Sequence, residues 1–178
     1  PARSLDIELQ QERFLLLGGR SGCVSIFDLR SGGEDASDTA LPVGREMPPI
    51  ATSSQPNQPS VISHLHWFPQ DTGMFLSTHL DGQASVWDAN QLEPVLTWPV
   101  ASSLSMGRFS PLQPHLAAFG GSLDEVRLLD IRTGSLSFTC GYHDRVSCVD
   151  WHPYDPHCLL TGGRDGNLHL WDVRGAHR

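Results

Sequence analysis

The sequence has no lysine, few cysteines and no long apolar run, and each shortage excludes a class of protein. All 12 basic residues are arginines, and with 20 acidic residues the formal net charge is −8. An acidic chain without a basic cluster lacks the charge pattern of nucleic-acid binding, so we expect no direct contact with DNA or RNA. No apolar run approaches the ~18 residues of a membrane-spanning helix, so we expect no membrane contact.

The cysteines and histidines do not follow the spacing of a metal site. None of the four cysteines belongs to a C-x-x-C pair, and their number is too small for a disulfide scaffold. His64 and His66 share one face of a predicted strand, which is a weak metal signal. A second group lies around a predicted turn: Cys148, His152, His157 and Cys158. These positions fall on repeat slots, so we expect structural or surface roles and no metal or other cofactor.

The sequence offers no catalytic motif. It contains no G-x-S-x-G elbow, and its glycine pairs at 18, 120 and 162 precede predicted β-turns instead of helices. A glycine-rich phosphate loop would lead into a helix. We therefore expect a protein that is not an enzyme.

Three markers recur along the chain with one period. Four alternating segments end in an apolar residue followed by aspartate: Phe27-Asp28, Trp87-Asp88, Leu129-Asp130 and Trp171-Asp172. These pairs are 60, 42 and 42 residues apart. Two further markers recur in step with these pairs. One is an aromatic residue two positions before a proline, and the other is a pair of small residues before a predicted turn. Such a period indicates a repeat architecture.

Each repeat reads as a set of short strands. In the last repeat "VSCVDW" alternates, "CLLTGG" is apolar, "RDG" is a tight turn and "NLHLWDV" alternates again. Alternation with period two, interrupted by glycine, proline and aspartate, predicts an antiparallel all-β fold.

The period of 42 residues, the four strands and the Trp-Asp ending resemble the WD-repeat family of β-propellers. The resemblance implies about four blades of a ring of about seven. We place the blades approximately at 2–54, 61–100, 103–141 and 142–174. Residues 30–60 are rich in serine, proline, glycine and acids, and we interpret them as an exposed insertion around an outer strand. The fourth repeat ends without an outer strand, so we expect part of a larger propeller.

In WD repeats a tryptophan packs in the blade and is linked by hydrogen bonds to a serine or threonine, a histidine and a turn aspartate. The resemblance assigns these structural positions to two sets of residues: Trp171, Thr161 and Asp165, and Trp87, Ser77 and Asp81. The histidine position departs from the family pattern, because Tyr142 stands there and His143 follows one residue late. We expect no blade to carry the whole network.

Three repeats continue from the aspartate to an arginine two residues later, at Asp28-Leu29-Arg30, Asp130-Ile131-Arg132 and Asp172-Val173-Arg174. The second repeat has Asp88-Ala89-Asn90 instead. The planar guanidinium of arginine suits paired hydrogen bonds with a partner's carboxylate or backbone. The simpler alternative is a surface ion pair, worth about 0–1 kcal/mol.

The stretch "LLTGGRDGNLHLWDVR" resembles the box of WD-repeat substrate receptors of cullin-RING ubiquitin ligases. The resemblance implies a non-catalytic recognition subunit that docks on the ligase adaptor, the large subunit of the damaged-DNA-binding complex. It assigns adaptor binding to Arg174, Asp172, Arg132 and Arg30. Further likeness, above all in "WFPQDTGMF", points to the receptors of transcription-coupled nucleotide excision repair. Those receptors imply a nuclear location and two partners, a repair ATPase and RNA polymerase II.

Another WD-repeat scaffold of the nucleus, one that binds histones or assembles complexes, would keep every blade feature and need no adaptor-facing arginine. A basic histone tail would suit the net charge of −8, so charge leaves this alternative open.

Overall fold

The alternating segments of the sequence form β-strands in a computed structural model of the chain. The structure describes residues 2–30, 47–53, 60–122, 126–139 and 144–175. Within these ranges the one helical element is a single 3-10 turn, Val173–Gly175. No helix in the described ranges is long and apolar enough to cross a membrane. The predicted all-β class is confirmed.

The strands form four antiparallel sheets in which each strand pairs with its neighbours in sequence. The first sheet contains β1 (Ala2–Ile7), β2 (Phe14–Gly19), β3 (Val24–Asp28) and β4 (Ala51–Thr52). The second contains β5 (Ile62–Trp67), β6 (Met74–His79), β7 (Gln83–Asp88) and β8 (Glu93–Pro99). The third contains β9 (Leu104–Phe109), β10 (Leu116–Gly121), β11 (Val126–Asp130) and β12 (Ser135–Thr139). The fourth contains β13 (Val146–Trp151), β14 (Cys158–Gly163) and β15 (Leu168–Asp172).

The predicted insertion at residues 30–60 contributes one short strand, β4, to the described part of the chain. β4 pairs with β3 through Ser25 opposite Thr52 and Ile26 opposite Ala51. Most of the predicted insertion, residues 31–46 and 54–59, lies outside the described residues.

The first strands of the four sheets, β1, β5, β9 and β13, contact one another in that order, and we call them the inner strands. Side chains of one inner strand bond to the backbone of the next. Ser4 Oγ accepts from Leu65 N at 2.9 Å, and Asp6 Oδ2 accepts from Trp67 N at 2.7 Å. Both bonds join residues 61 apart in sequence, so β1 and β5 run in the same direction.

Two histidines of β5 make the next set of bonds. His64 Nδ1 donates to Gly107 O at 3.1 Å, and His66 Nδ1 accepts from Phe109 N at 3.3 Å. Both bonds join residues 43 apart, so β5 and β9 also run in parallel. The first-to-second-strand connections of neighbouring sheets therefore lie at the same end of the molecule.

The apolar core lies in three clusters, one between each pair of neighbouring sheets. Leu16 and Ile26 of the first sheet pack with Leu65 and Trp87 of the second. The second and third sheets meet through residues such as Leu76 and Phe119. The third and fourth meet in the same way, at Leu128 and Trp151 among others. Each sheet is thus buried against its neighbours, as expected of stacked units that cannot bury an apolar face alone.

One face of the fourth sheet carries exposed leucines. Leu160 and Leu170 are direct pairing partners, and Leu168 lies on the same face two residues before Leu170. Leu168 is 71% exposed and Leu170 70% exposed. A contiguous apolar patch of this kind indicates an interaction surface.

Candidate protein-binding face

The connections from the first to the second strand and from the third to the fourth strand lie at one end of each sheet, because the strands alternate in direction. We call this end the turn face. In the first sheet the two connections touch, since the Arg13 guanidinium binds the Asp28 carboxylate at 3.0 and 2.6 Å. Between sheets, Gln10 donates a side-chain hydrogen bond to the carbonyl of Gln70. The turn face is therefore continuous between the first and second sheets.

The aspartate that closes each third strand shapes the turn behind it. Its Oδ1 accepts the backbone N–H two residues later in all four sheets, at Arg30 (2.9 Å), Asn90 (2.7 Å), Arg132 (2.9 Å) and Arg174 (3.0 Å). This is the Asx turn that aspartate favours. The repeating aspartate thereby fixes where each following side chain leaves the turn face.

In the first sheet Asp28 is buried, whereas Arg30 is exposed but bound to a neighbouring connection. Asp28 is 6% exposed, and the hydrogen bond from Arg13 is the main cause that lowers the pKa of its carboxyl. The Arg30 Nη2 atom donates to Gln11 O at 2.9 Å. The guanidinium of Arg30 therefore already has a hydrogen-bond partner within the first sheet.

The arginines of the third and fourth sheets differ in how tightly their own aspartates hold them. Arg132 bonds both oxygens of Asp130, at 3.3 and 3.0 Å, and this contact lowers the pKa of the Asp130 carboxyl. Arg174 Nε lies 3.7 Å from Asp172 Oδ1, and their side chains are 66% and 64% exposed. A partner that binds the Arg174 guanidinium therefore breaks a weaker internal contact than a partner that binds the Arg132 guanidinium.

The ends of the inner strands meet at the centre of the turn face around a cavity of about 350 Å³. Its wall includes Asp6, His66, Arg108 and Asp150, which take equivalent places on the four inner strands. Arg108 Nη1 binds Asp150 Oδ1 at 2.9 Å. The cavity cannot be read from the sequence, because its wall comes from four repeats and the repeat pattern gives no sign of which strand ends meet.

Burial lowers the pKa of the two histidines between β5 and β9. The pKa falls to about 4 for His64 and to about 3 for His66, and the nearby Arg108 charge adds to both shifts. Both rings are therefore neutral near pH 7. Their bonds to the β9 backbone give them a structural role, as their repeat positions led us to expect.

Two of the predicted blade residues, Trp87 and Trp171, donate from Nε1 to the hydroxyl of the second strand. The distance is 2.7 Å to Ser77 Oγ and 2.7 Å to Thr161 Oγ1. In the first and third sheets the equivalent pairs are apolar, Phe27 with Leu17 and Leu129 with Phe119. A sheet without the indole N–H thus also lacks the hydroxyl, which avoids an unpaired polar group in the core.

The sequence analysis missed His79 as a member of the second blade's network. Ser77 Oγ lies 2.9 Å from His79 Nε2, and both side chains are buried. The serine thus links the indole of Trp87 to an imidazole two residues along the same strand. Ser-x-His spacing on a strand that pairs with the tryptophan strand is the signal that could have found it. Tyr142, at the family's histidine position in the last blade, and His143 after it lie outside the described residues.

The turn aspartates of these two blades lie at the opposite end, between the second and third strands. Asp81 Oδ1 accepts from Gln83 N at 3.2 Å, and Asp165 Oδ1 accepts from Asn167 N at 3.2 Å. Both carboxylates therefore order the hairpin turn itself.

The described residues bring together no three histidine, cysteine, aspartate or glutamate side chains placed to hold a metal ion. Cys148 and Cys158 are free thiols. His152 Nδ1 accepts from the backbone of Tyr154 and Asp155, at 3.2 and 3.0 Å, so its ring orders an exposed turn.

Residues 134–172, from β12 to β15, match the family model "WD domain, G-beta repeat". The matched part contains the Trp171–Thr161 bond and ends at the aspartate that caps the turn. Three further sheets repeat its strand order. The four sheets have the architecture of WD-repeat β-propeller blades.

Several WD-repeat chains and other curated proteins are similar in sequence. The chain is 29% identical to "WD repeat-containing protein ATCSA-1" of Arabidopsis thaliana, over 97% of this chain and 39% of that protein. It is 26% identical to nucleoporin Nup43 of Mus musculus, over 96% of this chain and 45% of that protein. It is 27% identical to protein transport protein SEC31 of Coccidioides immitis, over 74% of this chain and 11% of that protein. The chain thus spans less than half of each relative.

Proposed function

We propose that this WD-repeat chain is part of the substrate-recognition subunit of a cullin-RING ubiquitin ligase that acts in transcription-coupled nucleotide excision repair. The observation that carries the proposal is the Asp172–Arg174 turn. Its backbone is held by the Asx bond, yet the Arg174 side chain is 66% exposed and its Nε lies 3.7 Å from the carboxylate of Asp172. A fixed turn that presents an accessible guanidinium suits recognition of a partner's carboxylate.

The sequence also resembles one receptor, the Cockayne syndrome group A protein, most clearly at residues 67–75, "WFPQDTGMF". This stretch joins β5 to β6 on the turn face, where the strand pattern does not dictate the residues. The likeness to "WD repeat-containing protein ATCSA-1" over 97% of the chain agrees with this reading.

In this proposal the chain recognises partners and other subunits perform the ubiquitin chemistry. Its partners are the adaptor, which is the large subunit of the damaged-DNA-binding complex, a repair ATPase and RNA polymerase II. It works in the nucleus, as part of a ring of about seven blades. The exposed leucine face of the fourth sheet fits the packing of a further blade.

The test is a pull-down of the full-length protein by the purified adaptor, with Arg174→Ala as the variant. We expect the variant to bind about fivefold to tenfold more weakly, the loss typical of one charged contact. Arg164→Ala is the matched control, because Arg164 is exposed in the same blade but lies in the hairpin turn between β14 and β15, at the opposite end.

Absence of adaptor binding by the unchanged protein would overturn the ligase proposal. Equal binding by the unchanged protein and Arg174→Ala would keep the adaptor as partner and remove Arg174 from the contact. The second candidate function is a nuclear WD-repeat scaffold with no ligase role, favoured by the 26% identity to nucleoporin Nup43. That scaffold requires no adaptor binding, so the same pull-down separates the two functions.

A further inference from the structure

The cavity at the centre of the turn face is walled largely by rings. Trp67, Phe68, Phe109 and Trp151 contribute aromatic side chains, and a proline follows the end of each of three inner strands, at Pro69, Pro111 and Pro153. Trp67 and Phe109 are anchored in the core, at 4% and 2% exposed. Such walls change little when a ligand enters, which lowers the cost of binding.

Negative charge exceeds positive charge in this wall. Asp6 and Asp150 provide two carboxylates, and Arg108 provides one guanidinium, which is bound to Asp150 at 2.9 Å. His66, also in the wall, is neutral because burial lowers its pKa to about 3. One negative charge therefore remains in excess, in a chain whose formal net charge is −8.

The carboxylates are also the polar groups that an occupant can reach. Asp150 has a side-chain exposure of 57%. One oxygen of Asp6, Oδ2, accepts from Trp67 N at 2.7 Å. Two donors in the wall have no hydrogen-bond partner, Trp67 Nε1 and Arg108 Nε, but both atoms are buried beneath neighbouring atoms. The Arg108 side chain is 34% exposed but its guanidinium binds Asp150, so the carboxylates of Asp6 and Asp150 are the groups that a cationic occupant can reach.

Two exposed side chains lie in the cavity wall or next to it in sequence, since Leu9 belongs to the wall and Tyr154 follows the wall residue Pro153. Leu9 follows β1 and is 81% exposed, and Tyr154 follows β13 and is 87% exposed. The Tyr154 ring packs edge-on against the ring of His152, with centroids 6.2 Å apart. When a partner protein inserts a side chain into the cavity, Leu9 and Tyr154 can contact the partner residues on either side of it.

We propose that this cavity binds a basic side chain, arginine or lysine, that projects from an extended segment of a partner protein. The cation lies against the carboxylates of Asp6 and Asp150, and its methylene stem packs along Ile7 and Phe68, the accessible apolar residues of the wall. Such a side chain can bury its apolar stem while its charged end stays at the carboxylates. An acidic side chain meets the excess negative charge, and a neutral one leaves Asp6 with only the Arg108 charge, which Asp150 already binds. This site is independent of the ligase proposal, because it needs neither the adaptor nor the turn arginines.

The probe is a blocked pentapeptide, acetyl-Gly-Ser-Arg-Ser-Gly-amide, titrated into the 15N-labelled full-length protein to about 5 mM, since one buried side chain gives affinity in that range. The same peptide with norleucine or glutamate in the central position tests stem and charge separately. The readout is the indole N–H signals of Trp67 and Trp151 in the cavity wall, compared with that of Trp98 in β8.

We expect saturable shifts of the Trp67 and Trp151 signals with the arginine peptide and none with the glutamate peptide. Asp6→Asn should weaken arginine binding at least about fivefold, as loss of a partly buried ion pair does. Its amide oxygen can still accept from Trp67 N, so the fold should remain. Asp71→Asn is the matched control, since Asp71 lies on the same face in the β5–β6 connection and outside the cavity wall.

Equal affinity for the norleucine peptide, or no effect of Asp6→Asn, would overturn the proposal in favour of an apolar pocket. Absence of saturable shifts with the arginine peptide would overturn it outright. If Asp6→Asn lowers the melting temperature by more than a few degrees, Asp150→Asn replaces it, because Asp150 is exposed. No effect of that variant on arginine binding would count against the site. Arg174→Ala should leave peptide binding unchanged, so this test and the adaptor pull-down can fail separately.

Discussion

The indole N–H of Trp87 donates to the Ser77 hydroxyl at 2.7 Å, and the same serine oxygen lies 2.9 Å from His79 Nε2. All three side chains are at most 2% exposed. A hydroxyl can donate one hydrogen bond and accept two, so Ser77 can serve both neighbours. The second blade therefore contains a buried polar chain, in addition to the buried hydroxyls of Thr78 and Ser85 in the same sheet.

Ser77→Ala should destabilise the protein by about 1–3 kcal/mol, because it leaves the Trp87 N–H and the His79 ring without their partner in the core. The measurement is the free energy of unfolding from urea titration. Ser25→Ala is the control, since the Ser25 hydroxyl makes an exposed bond to Thr52 and should cost less than about 0.5 kcal/mol. Equal losses in the two variants would contradict the buried role of Ser77.

Lowering the pH from about 6.5 towards 4 should reduce stability through the buried histidines. The folded state holds the pKa of His64 near 4 and that of His66 near 3, below the 6.5 of an unperturbed imidazole. The unfolded state therefore binds more protons in this window, and stability falls as the pH falls. Urea midpoints at pH 7.5, 6 and 5 measure the slope.

Replacing both histidines, in His64→Gln with His66→Gln, should flatten the slope of stability against pH between 6.5 and 4. Glutamine does not titrate, so the proton uptake of the unfolded state at these two positions disappears. A slope as steep as that of the unchanged protein would show that other groups cause the loss.

Gly82→Ala should be among the most destabilising glycine changes in the hairpin turns. Gly82 has a φ of 86°, and a Cβ placed there would lie 1.7 Å from the carbonyl oxygen of Ala101. We expect the clash and the left-handed backbone together to lower the free energy of unfolding several times more than the left-handed backbone alone. Gly166→Ala is the matched control, with a φ of 80° and nothing within 4 Å of its Cβ, and should cost about 1 kcal/mol. Equal costs, measured by urea unfolding, would contradict the close approach of Ala101.

Leu168→Ser with Leu170→Ser should reduce self-association of the 178-residue chain, because the two side chains are 71% and 70% exposed on one face of the fourth blade. Exposed apolar patches promote association in water. Sedimentation velocity at two protein concentrations measures the change. Val95→Ser is the control, since Val95 is exposed on the outer strand β8 away from this face. A similar change with Val95→Ser would contradict a role for this leucine face.

The repeat markers were enough to predict the all-β fold and its blades. Trp87, Trp171 and their aspartates recur at fixed steps, and alternation in "VSCVDW" reveals a strand because its neighbours in sequence are also its neighbours in the sheet. The Arg174 turn was found for the same reason, since its aspartate and arginine lie two residues apart.

The features that the sequence did not reveal join distant repeats. The cavity wall brings Asp6 together with Asp150, and no local pattern predicts that four strand ends meet. His66 of the second blade accepts from the backbone N–H of Phe109 in the third blade. Its role therefore follows from the stacking of the sheets and not from the pattern of its own strand. His79 was missed because the family pattern places its histidine in another connection.

The blades share one shape, but the side-chain bonds between their inner strands differ from one pair of neighbours to the next. These bonds therefore determine which blade fits beside which. Ser4 and Asp6 meet backbone N–H groups of the second blade, whereas His64 meets a carbonyl and His66 an N–H of the third. Each blade therefore fits the blade after it through its own donors and acceptors. If two blades of this chain were exchanged, each would keep its own sheet but lose the hydrogen bonds to its neighbours. The blades of this protein are therefore not interchangeable.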